Sequence, residues 1–186
     1  EKGMSAEELL SEEAEKVPAG SDGLMTVLDW LAPVDARYKK GIMIGFDGRH
    51  TRGHIYRSIL EAVAMTIKGH TEDMVNEVGV TLDKIIITGG GSNSDLFMQI
   101  FADVFNVPAV RNVVNGAAGL GSAICAAVAT DVYGSFEEAV EGMVKIQDTF
   151  VPNPENVELY KKMIPIYKDI TVHTDEVLKK TYELFE

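Results

Sequence analysis

A single cysteine, Cys125, is present, so the chain can form no internal disulfide. Small apolar residues flank it, and it is expected to be a buried, space-filling thiol. A reducing, cytoplasmic setting is consistent with this cysteine usage. Basic residues are in the minority: 17 Lys and Arg stand against 29 Asp and Glu, for a net charge of −12. Nucleic acids and anionic membranes reward a basic face, so neither is expected as a partner. A small phosphorylated ligand stays open, because backbone N–H groups, helix N-termini and Mg²⁺ hold phosphate without entering the side-chain charge. Long hydrophobic runs are missing too. The longest, residues 123–129, is short and built of small side chains, so no membrane span is expected. The sequence opens on Glu1 with no basic-then-apolar leader, so no signal peptide is expected. No internal repeat or low-complexity tract is evident.

What is present is enough chain, 186 residues with 46% hydrophobic side chains, to build one domain around a real core. The expected division is a leading helix (1–16), a core (17–150) and a helical tail (151–186). Ser5 and Glu8 have capping-box spacing for the leading helix. Strands are expected at 23–28, 41–46, 84–88 and 108–114, with 84–88 buried on both faces. Between them, Ile55, Ile59, Ala62, Val63, Thr66 and Ile67 fall on one helical face. Leu96, Phe97, Ile100, Phe101, Val104 and Phe105 form a second helical stripe. Residues 116–130, apolar or small nearly all round, read as a helix packed inside the fold. Ser135 and Glu138 suggest another capping box, starting a helix with Ala139, Val140, Met143 and Val144 inward. After the break at Pro152 and Pro154, the tail reads as an amphipathic helix with Val177, Leu178, Tyr182 and Phe185 at helical spacing. Alternating strands and helices define an α/β class with a partly parallel sheet.

The strongest local signal is the run from Ile85 to Asp95. A strand ends in Gly89, Gly90 and Gly91, and Ser92, Asn93, Ser94 and Asp95 open a helix. Without side chains, a ligand can lie directly on the backbone, and the helix behind offers unpaired N–H groups. A nucleotide suits this geometry; the alternative is a tight, purely structural turn. The dinucleotide fingerprint is matched only in part. Gly89 and Gly91 fit, but Ser94 holds the third position, and residues 112–116 supply no ribose-binding acid. His50 and His54 have zinc-ligand spacing on a helix, but Thr51 stands where Glu would follow and no third ligand is near, so no metal site is assigned. His70 and His173 read as surface or capping residues. Arg49, Arg52 and Arg57 read as solvating the outer face of their helix, and no Ser/His/Asp set emerges.

Four stretches, in order, resemble the C-terminal region of the FGGY carbohydrate kinases. The first is residues 17–24. The second runs from Gly41, Met43, Gly45 and Phe46 through His54 and Ser58 to Glu61. The third is Thr88 to Ser92, continuing through Gln99 to Ala102 and Asp103. The fourth is residues 115–123, followed by 133–140 and 152–154. The resemblance covers most of residues 17–167. It implies the ribonuclease-H-like fold of actin, Hsp70 and the sugar kinases: a mixed, mostly parallel sheet with flanking helices. The domain's first strands would then lie upstream of Glu1. It also implies that Gly89, Gly90, Gly91 and Ser92 lie against the adenosine of ATP, with Ser94 and Asp95 near the adenine and 116–122 packed behind the nucleotide.

The implied cofactors are ATP and Mg²⁺, and the implied substrate is a sugar or polyol such as xylulose, ribulose, gluconate or glycerol. Two departures stand out. The family's Gly-Glu-Arg-x-Pro segment after the strand near Trp30 is replaced by a shorter stretch, residues 31–38. The N-terminal domain that carries the general-base aspartate and most sugar contacts is also absent from this sequence, so no catalytic residue is assigned and the chain alone is expected to be inactive. An exposed sheet edge or apolar face, and with it a homo-oligomer, is expected. The competing readings are a non-catalytic ATP-dependent sensor or activator of the same superfamily, an NAD-binding oxidoreductase domain, and a structural interaction domain.

Overall fold

The computed structural model describes residues 3–185. Glu1 and Lys2, at the start of the leading-helix segment, and Glu186, at the end of the tail, lie outside them. Helix α1 (Ala6–Ala14) begins at the expected capping box. Ser5 N–H donates to Glu8 Oε2 at 2.8 Å, and Glu8 N–H donates to Ser5 Oγ at 3.2 Å. A tight turn over residues 20–23 then leads into β1 (Met25–Val27), which pairs antiparallel with β2 (Ile42–Ile44). Gly45, at φ 98°, follows β2 so closely on the turn that a Cβ there would stand 2.4 Å from the Gly23 carbonyl oxygen. Any side chain would push the two apart.

Helix α2 (Arg52–Val78) crosses the core and stops at Gly79, whose left-handed φ of 74° caps it. Its buried face is rotated from the expected one. Ala62, Ala64 and Met65 meet the core, whereas Ile67 is 44% exposed. The rotation buries Arg57, Ser58 and Glu61 instead, so Arg57 does not solvate an outer face. The reason is a polar hub. Glu61, almost fully buried, accepts hydrogen bonds from Gly20 N–H (2.8 Å), Ser21 Oγ (2.9 Å), Arg57 Nε (2.9 Å) and the Tyr160 hydroxyl (2.8 Å). A buried carboxylate is tolerable only with such partners. The hub clamps four successive residues at positive φ, Gly20, Ser21, Asp22 and Gly23. Ser58 Oγ meets Thr26 Oγ1 at 2.7 Å, which ties β1 to the same helix.

The larger sheet has three strands in the order β3 (Ile85–Ile87), β4 (Ala109–Asn112), β5 (Ile146–Phe150). It is mixed: β3 runs parallel to β4, and β5 antiparallel to it. Strand β5 was not anticipated. Strand β3 is an edge, and its expected two-sided burial does not hold: Ile85 and Ile87 pack on the core, while Ile86 is 54% exposed. No described element covers that second face. Helix α3 (Asp95–Phe105) buries the expected stripe most fully at Ile100, Phe101, Val104 and Phe105.

Helix α4 (Ala117–Ala129) forms as expected but lies on the surface against α5 (Phe136–Met143), with Ile124 its buried residue. Cys125 is therefore exposed, not buried. Small side chains allow close packing but do not compel it, and the described residues place no third layer over α4. In α5 only Ala139 is buried, and Val140 faces solvent. Its Ser135 caps the helix, but Glu138 turns back to Gly134 N–H rather than closing the box. Helix α6 (Pro154–Phe185) continues past an internal Pro165. Its core face is Val157, Tyr160, Met163, Tyr167 and Ile170, in the first half. Val177 and Phe185, in the second half, are exposed.

Candidate functional site

The glycine turn is built from β3, a short 3₁₀ turn over Gly90–Asn93, and the start of α3. Gly89 adopts φ 86°, a conformation that L side chains rarely enter, and donates its N–H to the Asn115 carbonyl at 2.8 Å. Ser92 is fully buried, and its hydroxyl donates to the Gly89 carbonyl at 2.7 Å. Ser94 caps α3 by accepting from Phe97 N–H at 3.3 Å. Each glycine thus has its own role. Gly89 makes the bend. Gly91 makes room for an aromatic ring, because a Cβ there would lie 2.8 Å from Phe97 Cε1. Gly90 touches nothing: a Cβ would meet no atom within 4 Å.

Gly90 opens onto a cavity of about 550 Å³. Gly90, Gly91, Asn93 and Ser94 form one wall. The first turn of α1, with Ser5, Glu7 and Glu8, faces them, and Tyr56, Leu60 and Phe97 complete the lining. Phe97 is held from behind by Phe101, ring centroids 4.7 Å apart, which stacks in turn on Phe105.

Arg111 of β4, outside the cavity lining, also holds the turn. Its guanidinium donates to the Ser92 carbonyl at 2.9 Å, meets Asp95 Oδ1 at 2.9 Å and pairs with Asp148 of β5. The hydrogen bond to Asp148 is the main cause holding the Arg111 pKa above its usual value. Among the residues expected to contact a ligand, Gly90, Gly91 and Ser94 share the cavity wall. Gly89, Ser92 and Asp95 lie beside it, in the scaffold. From sequence, Asn93 reads only as part of the helix opening and Glu8 only as a helix cap, and nothing local marks Tyr56 or Arg111, which come from α2 and β4.

Helix α4 connects to the turn through Asn115, just before its start, whose side-chain amide donates to Asn93 Oδ1 at 2.7 Å. His50 and His54 stack edge to face at 5.2 Å. His50 Nδ1 accepts from Asp47 N–H at 2.8 Å, and His54 Nε2 stands 3.2 Å from Asp22 Oδ2. Neither lines the cavity at the glycine turn. Asp47 is forked by Arg49, and this hydrogen bonding lowers its pKa to about 2. Among the described residues, no three or more His, Cys, Asp or Glu side chains converge as a metal site, and no helix is long and apolar enough to cross a membrane.

A mixed sheet flanked by helices, with a bare glycine turn at the end of a parallel strand, is an α/β arrangement that the ribonuclease-H-like fold of the sugar kinases shares. Comparison with known proteins narrows it. The model of the C-terminal domain of the FGGY family of carbohydrate kinases matches residues 5–130, and the chain belongs to that family. It is 53% identical over 182 residues to the uncharacterized sugar kinase YgcE of Escherichia coli (strain K12), covering 97% of this chain and 37% of that protein. It is 30% identical over 173 residues to xylulose kinase of Bacillus subtilis (strain 168), covering 91% and 34%. The crystal structure of xylulose kinase from Rhodospirillum rubrum superposes with a TM-score of 0.81 at 27% identity, over 96% of this chain and 36% of that one. The chain thus spans little more than a third of the length of these relatives.

Proposed function

We propose that this chain is the adenosine-binding side of an ATP-dependent carbohydrate kinase, a phosphotransferase with a sugar or polyol hydroxyl as acceptor. The observation that carries the proposal is Gly90, whose missing side chain leaves open backbone on a cavity large enough for a nucleoside. In the proposed reaction a sugar hydroxyl attacks the γ-phosphorus of ATP. The bond from that phosphorus to the β–γ bridging oxygen breaks, ADP leaves, and the hydroxyl proton passes to an aspartate outside this chain. Gly90, Gly91 and Ser94 line the nucleoside, and Gly89, Ser92 and Asp95 fix the turn through Asn115 and Arg111.

Among the described residues the cavity is lined by the carboxylates Glu7 and Glu8 and by no Lys or Arg, which suits the nucleoside better than the phosphates. Mg²⁺ enters with those phosphates and needs no all-protein cage. Xylulose, ribulose, gluconate and glycerol remain the candidate acceptors, and their contacts belong to the part of the protein outside this chain. Alone, the chain binds nucleotide without turning it over, and it works in the cytoplasm, where ATP is made.

Calorimetric titration of the chain with ADP, ATP and NAD, with and without Mg²⁺, tests this. Adenine-nucleotide binding at about millimolar Kd or tighter is expected, equivalent to about −4 kcal/mol. Gly90→Val, whose Cβ has no protein atom within 4 Å and whose methyls enter the open space, should abolish it while the circular dichroism spectrum stays unchanged. NAD preferred over ADP, or ADP binding untouched by the valine, overturns the assignment.

A further inference from the structure

The cavity has a chemical bias of its own. Its lining includes two carboxylates, Glu7 and Glu8, and two aromatic rings, Tyr56 and Phe97, and among the described residues no cationic side chain. Resting on the nucleotide reading above, we propose that this cavity selects a base bearing an exocyclic amine, with Glu8 accepting from that amine and Tyr56 stacking on the base.

Glu8 is placed for the task by a bond it already makes. Its Oε2 is held by Ser5 N–H at 2.8 Å, so the carboxylate has a set orientation at the mouth of α1. A carboxylate offers about four lone-pair positions and no donor. The remaining positions accept the N6–H₂ of adenine. They repel the carbonyl that hypoxanthine carries at the same place, although the two bases have nearly the same size and shape. The flat surfaces needed for a base are present as well. Phe97 is locked between Gly91 and Phe101. Tyr56 stands on α2 as the second ring of the lining. Stacking on an aromatic ring tolerates any hydrogen-bonding edge of a base, so the rings supply affinity and Glu8 supplies selection.

The test is a titration of the chain with ADP and IDP. ADP should bind at least tenfold more tightly than IDP. Glu8→Gln preserves the capping box, since Gln Oε1 still accepts from Ser5 N–H, and turns its amide NH₂ toward the base. It should erase or reverse the preference. Glu7→Gln should leave it in place. Tyr56→Ala should weaken ADP and IDP alike, by about tenfold, with the ratio unchanged. If ADP and IDP bind equally and Gly90→Val abolishes both, the nucleotide site stands and the selection by Glu8 is wrong. A preference that follows Glu7 instead also overturns the assignment. If neither nucleotide binds, the parent reading falls and this one with it.

Discussion

Three residues carry consequences that single substitutions expose. Glu61 accepts four hydrogen bonds in the core. Glu61→Ala would strand the Arg57 guanidinium, itself 6% exposed, and the Tyr160 hydroxyl. Breaking a buried pair from one side costs about 3–5 kcal/mol, and a urea unfolding midpoint should fall accordingly, with m unchanged. Tyr160 gives a pH signature. Burial, with Glu61 beside it, holds its pKa well above the usual tyrosine value. The folded state therefore keeps this proton where the unfolded state releases it. The stability it contributes is complete below about pH 10 and declines as pH rises above that. Tyr160→Phe should flatten the alkaline limb of a Tm-against-pH curve. Gly91→Ala, unlike Gly90→Val, should lower stability by about 1–3 kcal/mol, because its methyl would collide with the Phe97 ring. At this scale the sequence showed the glycines because their chemistry is local. It hid Arg57 and Arg111, because whether an arginine solvates a helix or braces a buried turn depends on partners brought from other elements, such as Val17 and Asp148.

Elements were legible where a short-range rule sets them. The Ser5–Glu8 box, the strand before the glycines and the stripe of α3 all follow from spacing within one turn or one strand. Strand β5 did not show itself because its residues, Ile146 to Phe150, mix polar and apolar side chains, and its structure comes from pairing with β4. Helix α6 shows the same limit within one element. Its sequence is amphipathic throughout, yet only the half before Thr171 meets the core. Tyr167→Ala should cost about 3–5 kcal/mol, whereas Val177→Ala should stay within about 0.5 kcal/mol; parallel urea titrations of the two variants compare them. Equal losses would mean that the distal half packs as tightly as the proximal one.

For the molecule as a whole, the uncovered surfaces dominate. The free edge of β3, with Ile86 facing outward, and the apolar skin of α4 are surfaces on which one copy can meet another. Sedimentation of the chain should show concentration-dependent association, and Ile86→Lys should shift it toward monomer. A strictly monomeric chain at high concentration would contradict this. The Glu61 hub also sets an order of events during synthesis. Its donors span Gly20 to Tyr160, so the carboxylate is translated 99 residues before the last partner, Tyr160. At a ribosomal pace of about 5–20 residues per second, that gap lasts about 5–20 s. Until Tyr160 emerges, the nascent chain offers the Glu61 carboxylate three of its four donors, and a carboxylate one partner short favours staying wet.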